Sequence, residues 1–282
     1  MAYMQKHRID GISILLSLVL LTSCAYVDDL PKDETMESAA EITNTFQERL
    51  AGIYKTHSEE NGETIMQIYR IQELLIAEVE EEYAAYYAME WIPEHSQEEV
   101  TDVNREEFTV YTFSGFSNEG AYRDNTSHIT VTLNETGLEI EEEDGNTTSY
   151  ICDEEIEPIH NPERYRDLFG NVSDCALTGH WSAVLAEGYA LYLRIDADGT
   201  MLWSCKKTGQ PVTVYIGIAS AEQDTGIMQV MAEKVGWAQM PWLFELQYSI
   251  GAGGSLILTN TETNGMLPAD HAIQFEKVTE QE

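Results

Sequence analysis

Residues 71–91 read Ile71-Gln72-Glu73-Leu74-Leu75-Ile76-Ala77-Glu78-Val79-Glu80-Glu81-Glu82-Tyr83-Ala84-Ala85-Tyr86-Tyr87-Ala88-Met89-Glu90-Trp91, and the fold of the first half of the chain turns on them. Taken alone, they put Ile71, Leu74, Leu75, Val79, Tyr83, Tyr86 and Tyr87 at helical spacing in a segment rich in Glu and Ala, the pattern of an amphipathic helix. Their tyrosines suit a sheet better. The choice is made from outside the segment, because it has a counterpart further along the chain where the pattern is that of strands.

That counterpart belongs to an internal repeat. Leu50-Ala51-Gly52-Ile53-Tyr54 opens the first half and Leu177-Thr178-Gly179-His180-Trp181 the second, both reading Leu-small-Gly-x-aromatic. Gly62 is followed by Met66–Ile71, and Gly188 by Ala190–Ile195; each run ends in Arg-Ile and meets a turn, Gln72-Glu73 in one and Asp196–Gly199 in the other. A further run follows each turn, Leu74–Val79 and Thr200–Cys205. Later, His128–Leu133 and Gly137–Ile140 parallel Phe244–Ser249 and Ser255–Leu258. The repeat therefore aligns residues 71–91 with strands.

Period-two alternation supports the strands of the second half. Trp242, Phe244, Leu246 and Tyr248 share one face and Glu245 and Gln247 the other; Val212, Val214, Ile216 and Ile218 also alternate, as do Ile129, Val131 and Leu133. Turn residues recur about every 8–12 residues, as in a meander of short strands closed into a barrel or sandwich. The inward candidates of the second half are Leu191, Leu193, Trp203, Val214, Ile216, Trp242, Phe244, Leu246 and Tyr248. Such an aromatic stripe either fills a core or lines a pocket. On the pocket reading, Trp203, Trp237, Trp242, Phe244 and Tyr248 are the candidate ligand-binding residues, with Trp237 beside Gly236 at the mouth.

The second half resembles the small lipocalin-like (calycin-type) domains of bacterial lipoproteins. Gly179-His180-Trp181 matches the Gly-x-Trp that opens the first lipocalin strand, whose Trp plugs the closed end of the barrel; Gly52 and Tyr54 hold these places in the first half. The family's Arg that stacks on that Trp has no clear equivalent, and Arg194 and Lys277 are the basic residues available for its place. The resemblance implies an all-β chain of two tandem antiparallel lipocalin-like β-barrels, over residues 42–151 and 177–282, joined by a linker at 152–176.

The amino terminus supplies an address. Lys6, His7 and Arg8 precede an apolar run from Ile12 to Leu21, too short to span a bilayer of about 30 Å and flanked like a cleaved secretory signal. The run ends in Leu21-Thr22-Ser23-Cys24, which resembles the bacterial lipobox. That resemblance implies a signal peptide over 1–23 and a mature protein starting at Cys24. There a diacylglycerol with palmitate-like chains would hold it to the extracytoplasmic face of a bacterial membrane. Two acyl chains anchor where one binds only marginally. Residues 24–41, rich in Asp, Glu, Ser and Thr, read as a flexible tether with a mean reach of about 20–25 Å.

Composition excludes several functions. The chain has 15 Lys and Arg against 50 Asp and Glu, a net charge of −35. Nucleic acid and anionic headgroups would be repelled over most of its surface, which leaves the lipid as the membrane attachment. The acidic runs Glu78–Glu82, Glu139–Asp144 and Asp153–Glu157 lack the spacing and Gly of a calcium loop and read as solvated surface and turn, and no metal or cofactor is expected. Beyond Cys24 there are Cys152, Cys175 and Cys205. Cys152 and Cys175 bracket the linker and could close a disulfide outside the cytosol, whereas Cys205 lies in a strand as a small apolar side chain. The histidines are scattered and no catalytic motif occurs, so no catalytic residue is expected. The expected function is non-enzymatic binding of a small or apolar ligand in a barrel. The alternatives are a solid-barrel surface protein that engages a protein or envelope partner, and an unrecognised hydrolase.

Overall fold

The computed structural model describes residues 46–59, 62–82, 86–94, 104–113, 126–153, 155–168, 175–222, 224–237, 241–261, 266–268 and 271–278. The signal-like segment, Cys24, the tether and the side chain of Cys175 lie outside the described residues.

The segment opened by residue 71 is strand, not helix: Leu74–Glu81 and Tyr86–Pro93 are two strands of a meander. The first barrel runs β1 (Gly52–Ser58), β2 (Gly62–Ile71), β3 (Leu74–Glu81), β4 (Tyr86–Pro93), β5 (Arg105–Phe113), β6 (Thr126–Asn134), β7 (Gly137–Glu142) and β8 (Thr147–Cys152). Each strand pairs antiparallel with the next, and β8 returns to β1 through Tyr54↔Cys152 and Lys55↔Ile151. The second barrel repeats this with β9 (Gly179–Val184), β10 (Tyr189–Ile195), β11 (Thr200–Lys207), β12 (Thr213–Glu222), β13 (Ile227–Lys234), β14 (Trp242–Ile250), β15 (Leu256–Asn260) and β16 (Ile273–Lys277). It closes through Glu276↔Ser182 and Lys277↔Trp181. The chain is thus two closed eight-stranded antiparallel barrels in tandem, and every strand correspondence of the repeat holds in order.

The two openings are alike in detail. The Tyr54 hydroxyl donates to the Leu50 carbonyl at 3.0 Å, and the Trp181 indole N–H donates to the Leu177 carbonyl at 2.9 Å. In both, the aromatic turns back four residues and seals one end of its barrel, buried to 2% and 1% exposure. Lys277 Nζ lies 5.4 Å from the Trp181 ring centre, so it takes the cation's place over the Trp. Gly179 makes this possible: its φ is +127°, and a Cβ there would meet Lys277 Cε at 2.9 Å.

Two expectations from the sequence are corrected. The shared Arg-Ile pairs do not match face for face, since Ile71 lies between the barrels and Ile195 inside the second one. Gly52 pairs with Ile68 and Gly179 with Ile195, so Ile195 corresponds to Ile68, and Ile71, an odd number of residues further on, faces the other way. Val214 and Ile216 do not face inward; they pack with Tyr192, Leu202, Val212 and Val235 against Tyr69, Ile71, Ile76, Ala88 and Phe113 of the first barrel. Their alternation is real, but the buried face it marks is the one between the barrels.

This contact uses corresponding strands of the two barrels, chiefly β2–β4 against β10–β12. It is an interface of like on like, as in a two-fold dimer. β3 and β11 are buried on both faces. The linker is packed here too: the Ile159 amide donates to Gln67 in β2 at 2.9 Å, and Arg166 donates to the Asp198 carbonyl and carboxylate in the β10–β11 turn at 2.5 and 3.0 Å.

Candidate functional site

A cavity of about 360 Å³ opens into the first barrel, near the low end for small-ligand pockets. Its lining is about as polar as apolar: the apolar part, inside, includes Met66, Val79, Met89, Trp91, Val110 and Ile140, and the polar part gathers towards the opening. The mouth lies at the end away from the 46–50 helix that covers the other end. It is formed by the tight β7–β8 turn, which carries Glu142, Glu143 and Asp144. Asp144 shapes that turn by accepting from the Asn146 amide at 2.9 Å. Tyr87 and Tyr150 also line the cavity. Burial raises both phenols, helped by the carboxylates of Glu81 and Glu142, with Tyr150 pushed up to about 12. They are therefore neutral at physiological pH.

Inside, Trp91 separates the cavity from the covered end. Its ring packs on Phe108 at 5.6 Å, and Phe108 stacks on Phe46 of the covering helix at 6.4 Å. The Trp91 indole N–H is buried and has no hydrogen-bond acceptor among the described residues, a costly state for a polar group. Further down β5, the buried Glu106 carboxyl likewise has no partner among the described residues. Burial pushes it up to about 7.

The second barrel is built differently at the same end. Its β15–β16 connection sends Met266 and Leu267 into the core, both 5% exposed. The segment is held by Asn260, whose side chain accepts from the Leu267 amide at 3.1 Å and donates to its carbonyl at 3.0 Å. Trp203, Tyr215 and Phe244 pack ring against ring at 5.6 and 5.2 Å. Of the residues singled out from sequence, Trp203, Phe244 and Tyr248 are buried in this core. Trp242 lies on the inward face, opposite Ala232 of β13, but at the rim of the barrel rather than in its core. It is 43% exposed at the start of β14 and packs edge-on against Trp237 at 6.3 Å. Trp237 and Trp242 meet each other, while Trp203, Phe244 and Tyr248 share the core.

Between the barrels lies a buried ionic cluster that no motif announces. His160 of the linker donates from Nε2 to Glu78 on β3 at 2.8 Å and from Nδ1 to Glu233 on β13 at 2.7 Å. All three side chains are buried. Glu78 also accepts from Tyr69 at 3.0 Å, from Tyr86 and from the Gly236 amide at 2.8 Å; Glu233 also accepts from Tyr165. Burial disfavours charge on His160, but its bonds to Glu233 and Glu78 outweigh that and push it up to about 9, so it is an imidazolium at neutral pH. Burial likewise raises Glu233, but its bonds from His160 and Tyr165 prevail and hold it below its usual range. Gly236 is required twice over, by its φ of +76° and by Ala88, whose Cβ would lie 3.0 Å from an added one.

Glu78 therefore departs from the reading of its acidic run as solvated surface. The signal for it was present, a lone carboxylate inside the apolar stretch Leu74–Val79. His160 carried no comparable signal, since its partners lie far away in sequence. Cys152 is disulfide-bonded and Cys205 is a free thiol, buried and pushed up to about 12. Among the described residues, no cluster of His, Cys, Asp and Glu is arranged to hold a metal, and no helix is long and apolar enough to cross a membrane.

No family model, curated protein or solved structure matches the chain.

Proposed function

We propose that this chain is a non-enzymatic binding lipoprotein, tethered through a lipid on Cys24 to the outer face of a bacterial membrane, which holds a small, largely apolar ligand in its first barrel. The observation that carries the reading is the cavity of about 360 Å³ with an apolar interior and an open, polar mouth. The second barrel serves as the platform, docked on the first through the His160 cluster and the apolar face around Ile76 and Ile216. Cys175 is the natural partner for the disulfide of Cys152, because the proposed lipid occupies Cys24 and Cys205 is free.

Native mass spectrometry of the protein recovered from bacterial membranes tests both parts. The expected result is an adduct lost on denaturation and absent from Met89→Trp, which fills the cavity, together with an amino-terminal peptide that carries a diacylglycerol on Cys24. A protein without adduct, or with one that Met89→Trp leaves in place, would refute the pocket.

The exposed pair Trp242 and Leu243, 43% and 63% accessible beside Trp237, favours a second reading in which the second barrel also meets a protein partner. Leu243→Asp is expected to abolish co-purification of any such partner without disturbing the first barrel's ligand.

A further inference from the structure

We infer that the ligand of the first barrel is a lipophilic ammonium compound, its apolar body inside and its cationic head at the mouth; this rests on the pocket reading above. Three features of the cavity point the same way. The turn at the mouth places Glu142, Glu143 and Asp144 together, all exposed and all lining the opening. An anionic head there would meet three carboxylates at close range, whereas a cation would be attracted by each of them.

Tyr87 and Tyr150 also line the cavity, both neutral and both near enough to Glu142 to feel its charge. Neutral aromatic faces backed by carboxylates are a surface that an ammonium group prefers to water, particularly a methylated one that sheds its hydration cheaply. Deeper, Trp91 lines the cavity, and its buried indole N–H has no acceptor among the described residues. That donor is suited to a ligand whose buried part carries an ether, carbonyl or hydroxyl oxygen. Among the described residues of the mouth, the basic group is His128, which stands between the carboxylates of Glu94 and Glu143 and is engaged by them.

Isothermal titration of the full chain carrying Cys24→Ser, which removes the acylation site, tests this with four ten-carbon probes: decyltrimethylammonium, decanoate, 1-decanol and decylphosphocholine. Decyltrimethylammonium is expected to bind about tenfold tighter than decanoate or 1-decanol. The variant Glu142→Gln/Glu143→Gln/Asp144→Asn, which keeps the acceptor that shapes the turn, is expected to remove that preference and leave 1-decanol unchanged. Decylphosphocholine separates two sources of the same chemistry: binding as tight as the plain ammonium assigns a choline lipid headgroup, and weaker binding assigns a phosphate-free amine.

A preference that survives in the mouth variant belongs to the overall negative charge and overturns the inference. So does equal binding of the ammonium, the acid and the alcohol; if Met89→Trp and Thr148→Phe abolish that equal binding, the pocket reading itself stands. No binding of any probe, or binding untouched by both filling variants, overturns the pocket as well.

Discussion

The two barrels share strand order, closure and the aromatic that turns back on its own Leu, yet they end in opposite states at the mouth. The first closes its last hairpin with a tight acidic turn and keeps a cavity; the second lengthens the same connection and folds Met266 and Leu267 into its core. β5 of the first barrel presents Glu106, Phe108 and Val110 inward, and β13 of the second presents Met228, Val230 and Ala232. A barrel's framework is therefore set by alternation and turns, while hollowness is set by one connection and a few interior side chains. On the proposed function the difference divides the labour: the barrel with the cavity binds, and the other contributes stability and a docking face.

The strongest way to break this division is to separate the barrels. His160→Ala leaves Glu78 and Glu233 buried without their cation, and a broken buried pair costs about 3–5 kcal/mol. Calorimetry is expected to show one cooperative transition become two, with the second barrel melting last; a single transition at the same temperature would mean the barrels do not lean on this cluster.

Next in size, Met266→Ala or Leu267→Ala should each cost about 2–5 kcal/mol and open the second barrel to an apolar dye that the native barrel excludes. Dye uptake without loss of stability would show that the second barrel was never filled by this segment.

The pH dependence is smaller and separates interface from interior. His160 is raised from its ordinary 6.5 to about 9, so its contribution is complete below pH 6.5 and is lost as pH climbs towards 9. The loss is on the order of 2–3 kcal/mol and should vanish in His160→Ala, as urea denaturation across that window would report.

The smallest effect belongs to the first barrel alone. Glu106 is raised from 4.5 to about 7, so the folded state holds a proton that the unfolded chain releases, and stability falls as pH rises from 4.5 to 7. Glu106→Leu is expected to stabilise the first barrel by about 1 kcal/mol at pH 8 and hardly at all at pH 4.5, which the same titration would detect.

How much was legible follows from where each side chain is buried. β14 is half-buried, so its sequence alternates and its inward residues Phe244, Leu246 and Tyr248 could be named in advance. β3 is buried on both faces, one inside its barrel and one against the other, and its sequence is a near-continuous apolar run that mimics a helix. The same second burial misled the assignment of Val214 and Ile216. The cavity was not legible at all, because Met66, Val79, Met89 and Trp91 would line a hollow or fill a core with the same pattern.

The sequence by itself determined the strands, their order, the paired openings Leu50–Tyr54 and Leu177–Trp181 and the acidic character, since each of these depends on neighbours a few residues apart or on composition alone. Only the tertiary structure decided which barrel is hollow, which faces meet and that His160 stands between Glu78 and Glu233. These depend on volumes left over after packing and on charges brought together from distant strands, and neither quantity is written in any local stretch of chain.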